Sequence, residues 1–408
     1  MTSSRQVPVD HVLPFLATAL NEKAMRRTFA ERLRGRHGAS IDVTACKIER
    51  VKYRAQRNCI IGYKLKICDE AGEHEQRLCA GVYATDDANA RFNKALGEAT
   101  IATPYFAPVT LIAPLNMVIW TFPNDRKLTA MPLLTDTARL RREILPDVVR
   151  ARWGDGWRIA DLHHTVSNYF PEHTCCVSVT LMLTHDEGAA HRTWEIIGKT
   201  RYDDAGAETY RQMEAFSDEG DADVSYARPI AYQSKHRLLW QERVPGVTLM
   251  SLLASHVVDN QVPARVARAV AALHGTSVKS PRRIVLSDLI DRLTAASKVI
   301  AAAHPRCEIR LRQIVAILAA NSGGLNLSFE GAWHGDLHSN NVLVTPTKVY
   351  LVDMDRVSIG PPLAELGSFL AELIGRACLN GEPLDEVQPM LAVAVAAYRQ
   401  RASWPVSE

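Results

Sequence analysis

His334-Gly335-Asp336-Leu337-His338-Ser339-Asn340-Asn341 runs directly into Val342-Leu343-Val344, the turn Thr345-Pro346-Thr347-Lys348, and Val349-Tyr350-Leu351-Val352, which ends on Asp353-Met354-Asp355. Two apolar runs flanking a short polar turn with proline predict a hairpin. That hairpin delivers an aspartate, an asparagine five residues later and two further carboxylates to one edge. Its surroundings read as helix. Val262 to His274, with Pro263 fit for a first turn, then Ile284 to Ala303 and Glu308 to Ala320 carry apolar residues at helical spacing. The block from Trp333 to Pro362 is therefore a compact non-helical island in an α-rich region.

Phosphoryl transfer asks for this set of groups: a carboxylate to orient the attacking hydroxyl, and oxygen ligands for a magnesium ion that bridges nucleotide phosphates. Asp336, Asn341 and Asp353 fill those three places at kinase-like spacing. A competing pattern is present, since His334, Asp336 and His338 alternate like metal ligands of a hydrolytic centre. No second His/Asp cluster elsewhere in the sequence completes such a centre.

Upstream, the chain repeats itself. Gly81 to Phe92 aligns without a gap on Gly198 to Thr209, Cys59 to Ile67 answers Cys176 to Thr184, and Ala107-Pro108-Val109-Thr110 answers Ala227-Arg228-Pro229-Ile230. Strand Met117 to Trp120 followed by Leu128 to Leu134 answers Leu238 to Trp240 followed by Val247 to Leu253. Each copy reads as a small, mostly antiparallel sheet with one helix laid on it. The sequence thus divides into a first β-rich copy (1–150), a second (151–246) and a helical part (247–408).

From His334 to Leu370, closing on Gly360-Pro361-Pro362 and Glu365-Leu366-Gly367, the chain resembles the aminoglycoside phosphotransferase and choline kinase-like superfamily. The order of segments from about Asp161 to Tyr398 also fits. This resemblance implies an α+β, protein-kinase-like bilobal fold, ATP or GTP, magnesium (Mg2+), and a small-molecule hydroxyl as acceptor. It implies Asp336 as catalytic base, Asn341 and Asp353 as metal ligands, and His334 as a buried support of the loop. Glu365 stands where the family commonly has a loop-bracing aspartate.

The second β-rich copy then becomes the nucleotide lobe, with Lys199, read as ending its strand, steadying the phosphates. A helical glutamate should pair with it: Glu214, read as facing inward four residues after Tyr210, with Glu208 as the fallback. Leu238 to Gly246 resembles the hinge, where the backbone of Glu242 and Val244 would bond the base. No glycine-rich loop joins the first two strands; the turn reads Asn168-Tyr169-Phe170-Pro171-Glu172-His173. The first copy has Val82 in place of Lys199, and so reads as a degenerate nucleotide lobe kept for packing, homodimerisation or lidding.

The bulk numbers narrow the partners. In 408 residues, 47% hydrophobic and 23% charged, a net charge of +3 gives no reason to expect nucleic acid or an anionic membrane. Without a signal-like N-terminus or a run near ~18 apolar residues, a cytoplasmic protein is expected. Eight scattered cysteines read as buried, reduced thiols. The helical insert from about Thr276 to Glu330 would line the acceptor site, but its few dispersed acids announce no polycationic acceptor. Two other functions share these residues: a pseudokinase scaffold, and a kinase acting on a protein side chain.

Overall fold

The structure is a computed structural model and describes residues 9–36, 40–84, 87–98, 101–188, 190–255, 261–322, 329–404 and 406. Thr85 and Asp86 of the first repeat segment, and 323–328 of the helical insert, lie outside them. The fold is α+β, as the sequence predicts. It separates into two compact units, one of residues 1–204 with 233–240 and one of 205–232 with 241–408.

In the first unit, β1 (Asp42–Arg54), β2 (Asn58–Asp69), β3 (Gly72–Tyr83), β4 (Val109–Ile112) and β5 (Met117–Thr121) form one sheet, ordered β1-β2-β3-β5-β4. Strand alternation explains its core. Cys59, Ile61, Tyr63, Leu65 and Ile67 lie on one face of β2 and are fully buried. Met25 and Phe29 of helix α1 (Glu22–Arg32) join that core, with the Phe29 ring edge-on to Tyr63 at 5.1 Å. Asn21 caps α1, its side chain accepting the Ala24 N–H.

β6 (Trp157–Phe170), β7 (Thr174–His185), β8 (His191–Arg201), β10 (Pro229–Gln233) and β11 (Leu238–Glu242) repeat the same order, β6-β7-β8-β11-β10; β9 (Val224–Tyr226) pairs elsewhere. The register repeats too: Cys59 faces Val82 in the first sheet and Cys176 faces Lys199 in the second. A 3-10 turn precedes the last strand in each, ending on a left-handed residue, Asn116 and Arg237.

The repeat begins earlier than the sequence suggests. Asp10 Oδ1 accepts the N–H groups of Val12 and Leu13, while its Oδ2 accepts the Tyr53 hydroxyl and the Gln56 N–H. Asp125 does the same for Lys127, Leu128, Tyr169 and Glu172. Gln56 and Glu172 both sit at positive φ, 55° and 56°. Asp125 thus stands to the second sheet as Asp10 stands to the first, ahead of residue 151. The Leu128–Leu134 stretch stands in the place of Leu13–Ala19, not of Val247–Leu253, because hydrogen bonding and not residue similarity fixes the correspondence.

In the second unit, helix α2 (Ala205–Ser217) precedes β9, and β12 (Val247–Thr248) leads into α3 (Gln261–His274). A helical hairpin follows, α4 (Leu286–Ala303) and α5 (Glu308–Ser322). Then come β13 (Gly331–Trp333), β14 (Val342–Val344), β15 (Val349–Leu351) and β16 (Ser358–Gly360), and helices α6 (Pro362–Asn380) and α7 (Leu384–Arg401). β12, β14, β15 and β9 form one small sheet, and β13 pairs with β16. α3 is an almost wholly buried helix; α4 and α5 leave large apolar side chains exposed, Val299 at 71% and Ile309 at 74%.

All eight cysteines are free thiols, but only Cys59, Cys79 and Cys175 are buried; Cys46, Cys68 and Cys176 are half-buried, and Cys307 and Cys378, expected to be buried like the rest, are exposed. Burial pushes the Cys46 and Cys59 thiols up to about 12, which leaves them protonated and inert at neutral pH. No helix among the described residues is long and apolar enough to cross a membrane.

Candidate active site

The predicted hairpin forms: Val342 to Val344 pairs antiparallel with Leu351 to Val349 across the Thr345–Lys348 turn, whose ends are closed by a Thr345 N–H to Lys348 carbonyl bond of 2.9 Å. Asp336 and Asn341 lie in the loop before β14, and Asp353 lies just after β15. Asn341, 7% exposed, laces these parts together. Its Nδ2 donates to the Asp336 carbonyl at 3.0 Å, its N–H donates to the His338 carbonyl at 2.8 Å, and its own carbonyl accepts the Val352 N–H at 3.0 Å. The amide nitrogen being committed, Oδ1 is the atom left to face a cation.

Val352 is held a second time. His334, fully buried, donates from Nε2 to the Val352 carbonyl at 2.8 Å, and its Nδ1 has no partner among the described residues. The Asp336 loop and the residue before Asp353 thus move as one piece. Asp353 itself adopts φ 67°, a left-handed conformation that non-glycine residues keep only where their surroundings over-determine it, as at functional sites. Gly335, at φ 79°, must be glycine: a Cβ there would stand 2.1 Å from the Arg356 carbonyl oxygen.

Beneath the loop, Glu365 of α6 is 3% exposed and accepts the His334 N–H at 2.9 Å and the Gly335 N–H at 2.7 Å. It does the bracing expected of it, with one more methylene than aspartate. Its Oε2 also meets His274 Nε2 at 3.1 Å, and His274 Nδ1 meets the Tyr398 hydroxyl at 2.7 Å. Burial pushes the Glu365 carboxyl up, but the hydrogen bond and charge of His274, then His334 and the Gly335 N–H, outweigh it and hold the group below the ordinary carboxylate range. A second carboxylate two helical turns on, Glu372, accepts the Ser339 hydroxyl at 2.9 Å.

His274, Tyr398 and Glu372 were not singled out from the sequence. The seven-residue spacing of Glu365 and Glu372, which puts both on one helix face, was the available signal. His274 offered only its place at the end of an apolar helical run.

His334, Asp336 and His338 do not assemble as a metal centre. His334 is turned onto Val352, His338 Nδ1 accepts the Asn340 N–H, and no group of three or more His, Cys, Asp or Glu able to hold a metal exists among the described residues. Asn341 and Asp353 instead offer hard oxygen donors from two residues, which suits a cation completed by phosphate and water oxygens.

The remaining predicted residues divide between the units. Lys199, half-buried on β8 in the first unit, is not at a strand end, since Thr200 and Arg201 continue the strand beyond it. Glu214, in the second unit, is on the wrong face: α2 buries Gly206, Thr209, Gln212, Met213 and Phe216, and leaves Glu214 exposed beside Tyr210. Glu208, half-buried and bonded to Gln212 and Arg211, is the glutamate next to the buried face. At the hinge, the Glu242 N–H already donates to the Arg228 carbonyl at 2.9 Å. Val244, two residues on, is half-buried outside any strand.

Residues 186–402, more than half of the chain, match the model of the phosphotransferase enzyme family, called APH. The chain belongs to this family. The resemblance read from the 334–370 block is borne out by that match, which covers every one of the predicted site residues. Among solved structures, this family member is similar to a macrolide 2'-phosphotransferase from Brachybacterium faecium, at 14% identity over 64% of this chain and 83% of that one, TM-score 0.42. It is also similar to a choline/ethanolamine kinase family protein from Mesorhizobium loti, at 16% identity over 67% and 78%, TM-score 0.41. An aminoglycoside-3'-phosphotransferase of type VIII aligns at 18% identity over 64% and 94%, TM-score 0.37. No curated protein matches the chain. The family assignment rests on the matched residues, not on these distant likenesses.

Proposed function

We propose that this family member transfers the γ-phosphate of ATP or GTP to a hydroxyl of a small molecule. The observation that carries the reading is the lacing of Asp336, Asn341 and Asp353 into one rigid block through Val352. Asp336 orients the hydroxyl and accepts its proton; Asn341 Oδ1 and Asp353 would hold magnesium, which when bound neutralises phosphate charge. Lys199 steadies the phosphates, Glu208 takes the role first given to Glu214, and the Glu242–Val244 backbone meets the base. The division at 150 and 246 gives way, within this proposal, to copies starting at Asp10 and Asp125.

For the acceptor, the α4–α5 hairpin offers a groove of about 580 Å³, lined by Ile290, Ala301, Leu311 and Val315 together with Lys298 and Glu308. That size and apolar lining suit a small organic molecule with an apolar body. The segment entering the hairpin is bonded to the catalytic block, Ile284 N–H to the Ile359 carbonyl at 2.8 Å and Arg282 Nη1 to the Asp355 carbonyl at 2.7 Å. No nucleic acid or membrane is required.

Incubating the protein with γ-labelled ATP or GTP, magnesium and a metabolite extract tests this directly. Label moving to a small molecule, and not when Asp336→Ala replaces the wild type, is the expected result. Label on protein only would replace the acceptor class. No transfer, and no thermal shift at millimolar nucleotide, would make the chain a scaffold.

A further inference from the structure

We propose that Tyr398, near the end of α7, is a positioning residue for the Asp336 loop, its hydroxyl fixing the His274 ring that in turn orients the Glu365 carboxylate beneath the loop. Its effect on transfer rests on the reading of Asp336 above. The contacts run in one line closed to water: Tyr398, His274 and His334 are 0% exposed and Glu365 is 3%. The Tyr398 hydroxyl lies 2.7 Å from His274 Nδ1, and His274 Nε2 lies 3.1 Å from Glu365 Oε2. The two carboxylate oxygens then accept the His334 and Gly335 N–H groups, and the next residue is Asp336.

The order of donors follows from the end of that line. Glu365, held ionised below the ordinary carboxylate range, can only accept, so His274 Nε2 must donate to it. That leaves Nδ1 for Tyr398. A neutral imidazole accepts the Tyr398 O–H there, and a charged one donates to its oxygen, so a single hydroxyl completes the ring in either state. Burial and then the Glu365 charge hold the Tyr398 hydroxyl above its ordinary value, which keeps it protonated.

Packing does not ask for either polar group. Of the ten buried residues of α3, His274 is the one polar side chain; of the four of α7, Tyr398 is the one with a polar atom. Phenylalanine would fill the same space as Tyr398, and a polar pair in the core costs free energy unless it is bonded. What the hydroxyl adds is direction. β13 passes so close to the end of α3 that a Cβ at Gly331 would run into the His274 carbonyl oxygen, which leaves rotation of the His274 ring as its main freedom. Without a partner on Nδ1, a half-turn of that ring exchanges nitrogens for carbons, and Glu365 loses its side-chain donor. Tyr398 is itself pinned. The Trp404 ring meets it edge-on at 6.1 Å and stacks on Phe329 at 4.3 Å, while Arg401 of α7 and Arg268 of α3 share Asp223 at 3.2 and 3.1 Å.

Tyr398→Phe keeps the ring and removes the hydroxyl. Amide hydrogen exchange of the full chain, read by NMR at His334, Gly335 and the β14–β15 strands, tests the positioning without any ligand. Transfer from γ-labelled ATP or GTP with magnesium and the metabolite extract tests its consequence. We expect exchange at His334 and Gly335 to quicken about tenfold and that of β14–β15 to stay as in wild type, because the loosening is local. The maximal rate of transfer should fall about tenfold at unchanged half-saturating nucleotide. Adding Tyr398→Phe to His274→Phe should change neither, since the hydroxyl acts through that ring. A folded Tyr398→Phe protein with wild-type exchange at the two amides, or with β14–β15 loosened as much, would overturn the proposal. So would local loosening with wild-type transfer. Local loosening in a chain whose wild type transfers no label would keep Tyr398 as the support of the loop and overturn the kinase reading instead.

Discussion

The two five-stranded sheets share strand order, register and even the aspartate that latches their first turn, yet they differ at the position opposite the second-strand cysteine. Val82 faces Cys59 at 1% exposure, while Lys199 faces Cys176 half-buried. The first sheet closes its core over that position; the second leaves it open to a charge. What keeps the topology is the alternation of buried side chains on β2 and β7. The one exchange to which the proposed function assigns chemistry is Lys199 on β8; the Arg126, Lys127 and Glu172 clasp at the turn, also confined to the second copy, is a buried ion pair.

The comparison breaks most visibly at Lys199. Lys199→Ala is expected to lower phosphoryl transfer by about a hundredfold or more with the fold intact, as measured by turnover and circular dichroism; an unchanged rate would make the two copies equally idle. The reverse exchange, Val82→Lys, buries an unpaired ammonium. It should destabilise the protein by roughly 3–5 kcal/mol in chemical denaturation and confer no second nucleotide site. A stable Val82→Lys protein would mean that the first sheet is as open as the second.

Acid should sharpen the contrast between brace and surface. Burial pushes the Glu172 carboxyl up, but Arg126 and Lys127 outweigh it, so that Glu172, like Glu365, is held below its ordinary value. Stability from such groups is complete above the unfolded carboxylate value near 4.5 and is lost as pH falls through the lower, folded one. Tm should be flat from neutral pH down to about 5 and then fall. Glu365→Gln, costing about 1–3 kcal/mol at neutral pH, should lose less on acidification than wild type does. The smallest effect separates two faces of α2: Glu208→Ala should weaken nucleotide binding about tenfold, and the exposed Glu214→Ala should leave it unchanged.

Much of this was legible in the sequence where the determinants are local. The Asp336 to Asp353 block declares itself because hairpin pattern, turn and polar spacing lie within twenty residues. The repeat showed in its strands, where apolar alternation leaves a residue-level trace. The Asp10 and Asp125 latches did not, because they act through hydrogen bonds to turns 46 and 47 residues away. Glu214 was misread for a related reason: helix phase depends on where α2 packs, and buried Thr209 and Gln212 are not apolar markers. The Glu172 clasp was invisible for want of any sequence pattern linking Arg126 to a glutamate 46 positions later.

Asp336 is proposed to do chemistry within a block whose geometry does not depend on its carboxylate, since Asn341 holds the Asp336 backbone and not its side chain. Single-turnover transfer of the γ-phosphate to the acceptor found by labelling, compared between wild type and Asp336→Asn, tests it most directly. A fall of at least about a thousandfold is expected, with nucleotide affinity and Tm near wild type. Transfer at the wild-type rate by a folded Asp336→Asn protein would contradict it.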